Sequence, residues 1–440
     1  MKETRDLTTG SIPGRITRLA LPILGASFVQ MMYSFVDMAW LGRLGAEEVA
    51  AAAAASVFIW LANSLSLFSK VGAESAVGYA IGSGDEEGAR SFATHASSLS
   101  LLAGLAVMLL FLLLAPLLIG FYGMSGGVDR FGVTYLRITA LGIPLIFFTV
   151  SLTGIYNAAG HSEVPFRVTT LAVLLNILLD PLLIFTLRLG VAGAALATLI
   201  SQAVGAALIL RRIRKEDRLL GLFPLLTLAL EGNKVLLILK IGGPVSVMNA
   251  LFSLISLILG RFASLHGGHI GVTALSIGGQ LEGVSFNTAQ GFSTALGAFV
   301  AQNYGAGNRD RIHGGLRFTL RFSLIVGGLA TLLFYFFGTE IFALIVPDPA
   351  AAAEGGRYLR VNAVSEIFMM IEITFQGFFY GLQRSLPPSL ISITGNLIRI
   401  PAAWLLLLFF PGLDALWFVI MASSVLKGLA ALGYYLLRRN

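Results

Sequence analysis

The chain has 440 residues, 56% of them hydrophobic and only 12% Asp, Glu, Lys or Arg, with a mean hydropathy of +0.84. A soluble domain carries about 25% charged residues, so this composition excludes a water-soluble enzyme, a nucleic-acid-binding protein and a disordered chain, whatever the formal net charge of +7 suggests. The absence of cysteine excludes disulfides, thiolate metal sites and cysteine nucleophiles, and leaves the compartment open. Roughly the first fifteen residues are polar, with no short apolar stretch or cleavage site, so no signal peptide is expected to be removed.

Apolar runs, read against Gly, Pro and charge punctuation, predict an all-α integral membrane protein of about twelve helices. In chain order they fall near 16–41, 50–81, 92–121, 131–157, 165–187, 191–210, 235–262, 272–304, 315–346, 358–380, 387–410 and 415–437. A span needs about 20 residues, so the longest of these are expected to tilt, bend or project past the headgroups. An even count puts both termini on one side. Twenty basic residues fall on the side of the termini and the basic segment that follows the sixth helix, against seven on the other. The positive-inside rule therefore predicts both termini in the cytoplasm of a cell (inner) membrane.

The two halves repeat. Gly82-Ser83-Gly84-Asp85 matches Gly305-Ala306-Gly307-Asn308, Tyr135-Leu136-Arg137 matches Tyr358-Leu359-Arg360, Gly154 matches Gly377 and Pro165 matches Pro388, all 223 residues apart. Pro22 matches Pro244 at 222, and Asn176…Pro181 matches Asn396…Pro401 at 220. Six helices per half give parallel repeats about an axis along the membrane normal, a transporter arrangement. The expected organisation is an N-terminal lobe over 1–210, a cytoplasmic linker over 211–233 and a C-terminal lobe over 234–440.

The residues resemble those of multidrug and toxic compound extrusion (MATE) transporters, in the wider multidrug/oligosaccharidyl-lipid/polysaccharide flippase superfamily. The resemblance rests on Leu21-Pro22, Asp37, Leu41-Gly42-Arg43-Leu44-Gly45, the two Gly-x-Gly-Asp/Asn turns, Ala301-Gln302 before the second, and Asn176-Ile177-Leu178-Leu179-Asp180-Pro181. It covers essentially the whole chain and is closest to the DinF-type branch. What it implies is an ion-coupling site at Asp37, Asp180, Asn176, Tyr135 and Thr198. The helix-seven acid of another branch has no counterpart, because no carboxylate lies between Pro244 and Arg261.

An ionisable group inside a span costs about 2.5–3.5 kcal/mol on insertion scales, so it is expected to face a cavity or a partner. Asp37 shares a helical face with Tyr33 and Gln30; the bland alternative puts it at the helix end, in water beside Arg43. Asn176 and Asp180 are four apart and project from one face. With Thr198 and Asp37 they offer oxygens suited to Na⁺, and equally a carboxylate that takes a proton. The alternative is a plain Asp-Pro helix break. The carboxylates do not repeat: Ile400 stands opposite Asp180, and Leu259 or Gly260 opposite Asp37, while Asn176 and Pro181 recur, which favours function in the first half.

Lys70 and Glu74, four apart, read best as a self-neutralising pair. The second half holds Glu282, Glu366 and Glu372. Met369, Met370, Glu372 and Gln376 offer a polarizable wall for lipophilic cations, with a Glu–Arg399 bridge between helices as the alternative. Pro22 is either a hinge or a helix-start proline. His266 and His269 could touch a metal but read better as surface residues. No Gly-x-x-x-x-Gly-Lys-[Ser/Thr] run occurs, which excludes ATP drive within the chain.

The expectation is thus a secondary active antiporter, not an enzyme, that exports lipophilic or cationic organic compounds in exchange for H⁺ or Na⁺. Gln30, Tyr33, Met369, Glu372 and Gln376 are the expected substrate-binding residues. No cofactor beyond the coupling ion, no nucleic acid and no ATP are expected; the lipid bilayer and drug-like molecules are the partners, and a monomer is expected. The alternative is a lipid or lipid-linked oligosaccharide flippase, against which stands the scarcity of intramembrane cations, only Lys70, Arg399 and Lys427.

Overall fold

The structure, a computed structural model, describes residues 6–123, 127–216 and 225–438. Its elements are α1 (Ile12–Gly42), α2 (Ala46–Gly82), α3 (Glu86–Gly120), α4 (Val128–Ala140), α5 (Ile143–Ala158), α6 (Glu163–Pro181) running into a π-helical turn (Leu182–Thr186), and α7 (Gly190–Glu216). The second half holds α8 (Gly232–Gly305), α9 (Arg309–Ala343), α10 (Pro349–Gly381), α11 (Leu386–Leu397), α12 (Arg399–Phe409) and α13 (Leu413–Arg438). Parts of the predicted linker, and Lys2, Arg5, Arg218 and Arg439 of the charge count, lie outside the described residues.

Among the described residues, nine helices are long and apolar enough to span a bilayer. The pair α4 and α5, bent by 45°, makes a tenth. Two more follow from local chemistry. Gly268, at φ 56° and ψ −142°, takes a conformation only glycine adopts easily and breaks the 74-residue α8 into two arms, 232–267 and 269–305. Helix α10, 33 residues long, is kept out of the apolar set by Asn362, Glu366, Glu372 and Gln376, which it turns inward. The outer surface is apolar: Leu113, Leu117 and Leu178 point outward, as they should where the solvent is lipid.

Several boundaries differ from the sequence reading. The helix predicted over 131–157 is two, because α4 ends at a turn around Leu141–Gly142. The loop predicted between 262 and 272 is helical except at Gly268, so His266 and His269 flank a helix break; His266 Nδ1 caps the Phe262 carbonyl, and no metal-binding group occurs among the described residues. Helix α10 starts at Pro349, nine residues before its predicted start at Tyr358, with Asp348 capping Ala351 N at 2.7 Å. Pro22 lies inside α1, ten residues after Ile12, so the helix-start reading fails; the helix runs unbroken through it.

Close backbone approaches display the repeat. A Cβ on Gly154 would meet the Lys70 carbonyl, and one on Gly377 the Ser293 carbonyl. Gly104 faces Pro144 and Phe147, while Gly327 faces Ile367 and Met370. These pairs are the same positions 223 residues apart. On the axis, equivalent positions meet each other: Gly78 packs on Ala301, Gly82 on Gln302 and Gly305 on Tyr79. The seam between the halves is therefore α2 against both arms of α8, since Gly72 also meets Ile238 and Gly242 meets Phe68, and small residues let the backbones touch.

A Cβ at Gly82 would sit 1.8 Å from the Gln302 carbonyl oxygen, whereas one at Gly42 would meet nothing within 4 Å. Gly82→Ala should therefore destabilise the protein by about 1–3 kcal/mol through overpacking. Gly42→Ala should be silent by comparison, as read from thermal unfolding in detergent.

Candidate ion and substrate sites

Helix α1 carries Asp37 to within a turn and a half of its C-terminus, where it meets α4, α6 and α7. The core of the site is a hydrogen-bonded chain. With its amide nitrogen turned toward the carboxylate, Asn176 donates from Nδ2 to Asp180 Oδ2 at 3.0 Å, and its Oδ1 accepts from Thr198 N at 3.0 Å. The Thr198 hydroxyl lies 3.3 Å from the Tyr33 hydroxyl. The i, i+4 spacing of Asn176 and Asp180 makes this possible, and Pro181 follows because the helix opens there into the π-helical turn. Helix α6 therefore continues past the Asp-Pro step.

Tyr135 is buried on α4 beside Ser56, whose hydroxyl donates to the Ala52 carbonyl at 2.8 Å, and lies close enough to both carboxylates to feel their charge. Asp37 and Asp180 also feel each other. One oxygen of each, Oδ1 in both cases, is buried with no hydrogen-bond partner. Arg43 does not neutralise Asp37, since its guanidinium lies over the Trp40 ring at 4.8 Å. Trp40 in turn packs edge-on against Phe185 of the π-helical turn. The site thus presents two uncompensated carboxylate oxygens among neutral amide and hydroxyl groups, a donor set that suits a hard cation or a shared proton.

The sequence reading brought Asp37, Asp180, Asn176, Tyr135 and Thr198 together, and they do converge. Tyr33, expected on substrate, bonds Thr198 within this site. Ser56 was missed. It stands in an alanine-rich run whose pattern gives no sign of a partner.

Two cavities open on the seam. The smaller, about 410 Å³, is lined by Pro22, Gln30, Ser34, Lys70, Asn157 and Asn287 among others. The larger, about 1120 Å³, lies mainly in the second half and takes Met369, Glu372 and Gln376 on its wall as expected. Its polar groups form a network. Glu372 pairs with Lys427 at 3.1 Å and accepts from Ser392 and Gln376; Tyr358 donates to Glu282 at 2.8 Å; Ser285 donates to Glu366.

Two expected pairings are corrected. Glu372 bridges to Lys427, not Arg399, because α13 brings the lysine against Gly395 and the carboxylate while Arg399 is taken by Ser423 and Ser424 at 2.6 and 2.9 Å. Lys70 and Glu74 form no ion pair within 4 Å: Glu74 accepts from Asn157 at 3.3 Å, and Lys70 lies on the walls of both cavities.

The MatE family model matches residues 22–182 and again 244–405, one copy in each half. The chain belongs to the MatE family. Its members are membrane transporters, not enzymes, and the chain is a multi-pass integral membrane protein built to that fold. A model for the lipid II flippase MurJ also matches, over residues 155–262. A probable multidrug resistance protein NorM of Thermotoga maritima is 26% identical over 432 residues, covering 96% of this chain and 91% of the relative. An outward-facing multidrug resistance MATE transporter of the MOP superfamily superposes with a TM-score of 0.93 at 23% identity, covering 100% of this chain and 98% of that one. A MOP superfamily transporter from Pyrococcus furiosus, described as having a binding pocket of reverse polarity, gives 0.91 at 23% identity over the same shares.

Two outcomes follow. Asn176→Leu removes a hydrogen bond to Asp180, worth about 1.5–3 kcal/mol to a charged group. On the reading of this cluster as an ion site, affinity followed by the fluorescence of the adjacent Trp40 during Na⁺ or pH titration should fall roughly tenfold or more. Lys427→Met strands a buried carboxylate and should cost about 3–5 kcal/mol; adding Glu372→Gln should restore most of the thermal stability.

Proposed function

We propose that the protein is a secondary active antiporter that exports lipophilic, often cationic organic compounds in exchange for H⁺ or Na⁺, and that it stands in the DinF-type branch of the family. The observation that carries the ion site is the pair of buried, unpartnered Oδ1 atoms on Asp37 and Asp180, framed by Asn176, Thr198, Tyr33 and Tyr135. A carboxylate held without a counter-charge at membrane depth is costly and marks an ion pathway.

With both acids ionised, the first half holds a polar site that accepts a cation. Ion binding or protonation neutralises it, α1 repacks against α6 and α7, and the cavities on the seam change access. Each charge moved through 100 mV contributes about 2.3 kcal/mol, to which the concentration gradient adds. The excess of basic residues on the side of the termini supports a cytoplasmic location for both ends. The Met369–Glu372–Gln376 wall of the 1120 Å³ cavity is the proposed substrate surface.

A second reading, lipid-linked flippase, is favoured by one observation, the MurJ match over 155–262; against it, Lys70, Arg399 and Lys427 share their cavity lining with Glu74, Glu282, Glu366 and Glu372. Flipping of a fluorescent pyrophosphate lipid in proteoliposomes separates it from drug efflux.

For the antiport reading, Asp37→Asn and Asp180→Asn should each abolish ion-driven efflux of ethidium from proteoliposomes while leaving folding and insertion intact. Imposing the pH and Na⁺ gradients separately identifies the ion. Normal efflux by both variants refutes the coupling site.

A further inference from the structure

Helix α1 belongs to both halves. Its first turns pack into the second half: Ile12 lies against Gly314, Ile16 against Gly315 and Leu24 against Gly291. Ile16, Leu19 and Ala20 are buried in one core with Phe292, Phe299, Leu316 and Phe375. First-half partners begin at Leu19, whose carbonyl accepts from Ser162 Oγ at 2.8 Å, and from Gly25 onward they take over, with Phe166 at Gly25, Thr198 at Tyr33, Phe185 at Trp40 and Asp180 near Asp37. Pro22 stands where the partners change. A helix that loses one backbone hydrogen bond at that point bends there more easily than elsewhere.

The lower end of α1 is held by a strap, residues 6–11. Leu7 is buried, and its N–H donates to Gln302 Oε1 at 2.9 Å. Asn303 Nδ2 donates to the Leu7 carbonyl at 3.2 Å. Arg311 gathers three strap carbonyls: Nη1 donates to Gly10 at 2.8 Å, and Nη2 to Leu7 at 3.0 Å and Thr9 at 3.1 Å, while Nε donates to Asn303 Oδ1 at 3.1 Å. Gln302 closes the seam itself, since its Nε2 donates to the Ala158 carbonyl of the first half at 2.6 Å. Asp6 braces the strap turn. Although partial burial pushes its carboxyl up, the bonds from Thr8 and Thr9 and the nearby Arg15 hold it below the usual carboxylate range. Gln302 and Asn303 are fully buried beside the axis where Gly82 and Gly305 meet the opposite backbone. Nothing in the ion or substrate sites requires this clasp.

We propose that Gln302 and Arg311 are positioning residues of the transport cycle: they clamp the strap and the first turns of α1 to the second half on the side of the termini, and the clamp must open for that side to open. The proposal rests on the alternating transport put forward above. Helix α1 then acts as a lever with its ion-binding end in one half and its anchored end in the other. A charge change at Asp37 reaches the seam through one continuous helix.

The absence of cysteine from the chain permits a direct test. Ile12→Cys with Gly314→Cys places two thiols across the contact between α1 and α9. In proteoliposomes, oxidation should stop ethidium efflux while raising the unfolding temperature, and reductant should restore efflux. Equal pumping by the oxidised and reduced proteins overturns the proposal.

Arg311→Gln should accelerate amide hydrogen exchange at residues 7–15 and slow efflux severalfold, with ion affinity at Asp37 and Asp180 unchanged. Arg311→Lys, which keeps the charge but not the fork, should fall between. Exchange also tests the clamp without any cargo. In wild type, lowering the pH or adding Na⁺ should change protection at residues 7–15, and in Asp37→Asn it should not. Protection that ignores the ion in wild type overturns the clamp even if efflux occurs. A change that Asp37→Asn abolishes supports the clamp even if ethidium proves not to be a substrate.

Discussion

A charge carried into hydrocarbon must find a counter-charge, a proton or a mobile ion, and the polar interior of this protein is arranged by that requirement. Glu372 meets it with Lys427, and Arg399 is held by two serine hydroxyls. Glu282 and Glu366 receive hydroxyl donors from Tyr358 and Ser285. Asp37 and Asp180 meet it only in part. Each keeps one buried oxygen without a donor, although Asn176, Thr198, Tyr33 and Tyr135 surround them. Glu282 and Glu366 line the large cavity, whereas the unpartnered oxygens of Asp37 and Asp180 are buried against each other's helices, and on the proposed reading an exchangeable cation completes them.

The same requirement explains the division of labour between the halves. Duplication preserved what packs: Gly104 and Gly327, Gly154 and Gly377, and the glycines at the ends of α2 and α8 make equivalent close contacts. In lipid no hydrophobic force drives helices together, so close backbone approach and serine-to-carbonyl bonds do that work. Ser75 to Tyr380 at 2.7 Å and Ser246 to Leu65 at 3.0 Å do so across the seam. Arg137 recurs as Arg360 at an exposed position, but the charges of Asp37, Asp180, Lys70 and Glu74 were not preserved between halves, since a charge inside the membrane is costly. Lys70 becomes Ser293 and Glu74 becomes Gly297 at the same separation of 223 residues that relates the glycines.

That contrast also marks what could be read from the chain alone. The repeat, the helix count and the convergence of Asp37, Asn176, Asp180 and Thr198 were legible, since hydropathy, an i, i+4 spacing and a duplicated motif all act over short stretches of sequence. Pairings that depend on distant helices were not. Nothing near Glu372 announces Lys427, 55 positions away on α13, and Lys70 and Glu74 have the spacing of a pair yet face different neighbours. The break in α8 needed only a glycine at φ 56°, and Gly267-Gly268 between two histidines looked more like a loop than a kink. The split of α4 from α5 around Gly142 was hidden for a similar reason, as the apolar pattern runs on through the bend.

The strap was the least legible part and has the clearest physical consequence. Its sequence, Asp6-Leu7-Thr8-Thr9-Gly10-Ser11, is short, polar and without periodicity, and carries no sign that it will be clasped. What fixes it is a guanidinium some 300 positions away, and a planar fork with several donors is suited to gathering carbonyls that converge from one short segment. A lysine offers a point charge and cannot hold three carbonyls and an amide in one plane. Because Leu7 leads straight into α1, fixing the strap fixes the lower end of the helix that carries Asp37. The candidate ion site and the clasped end then lie at opposite ends of one continuous helix with a proline between them. On the proposed reading, coupling needs no chain of intermediary side chains: it needs one helix held at one end and charged at the other.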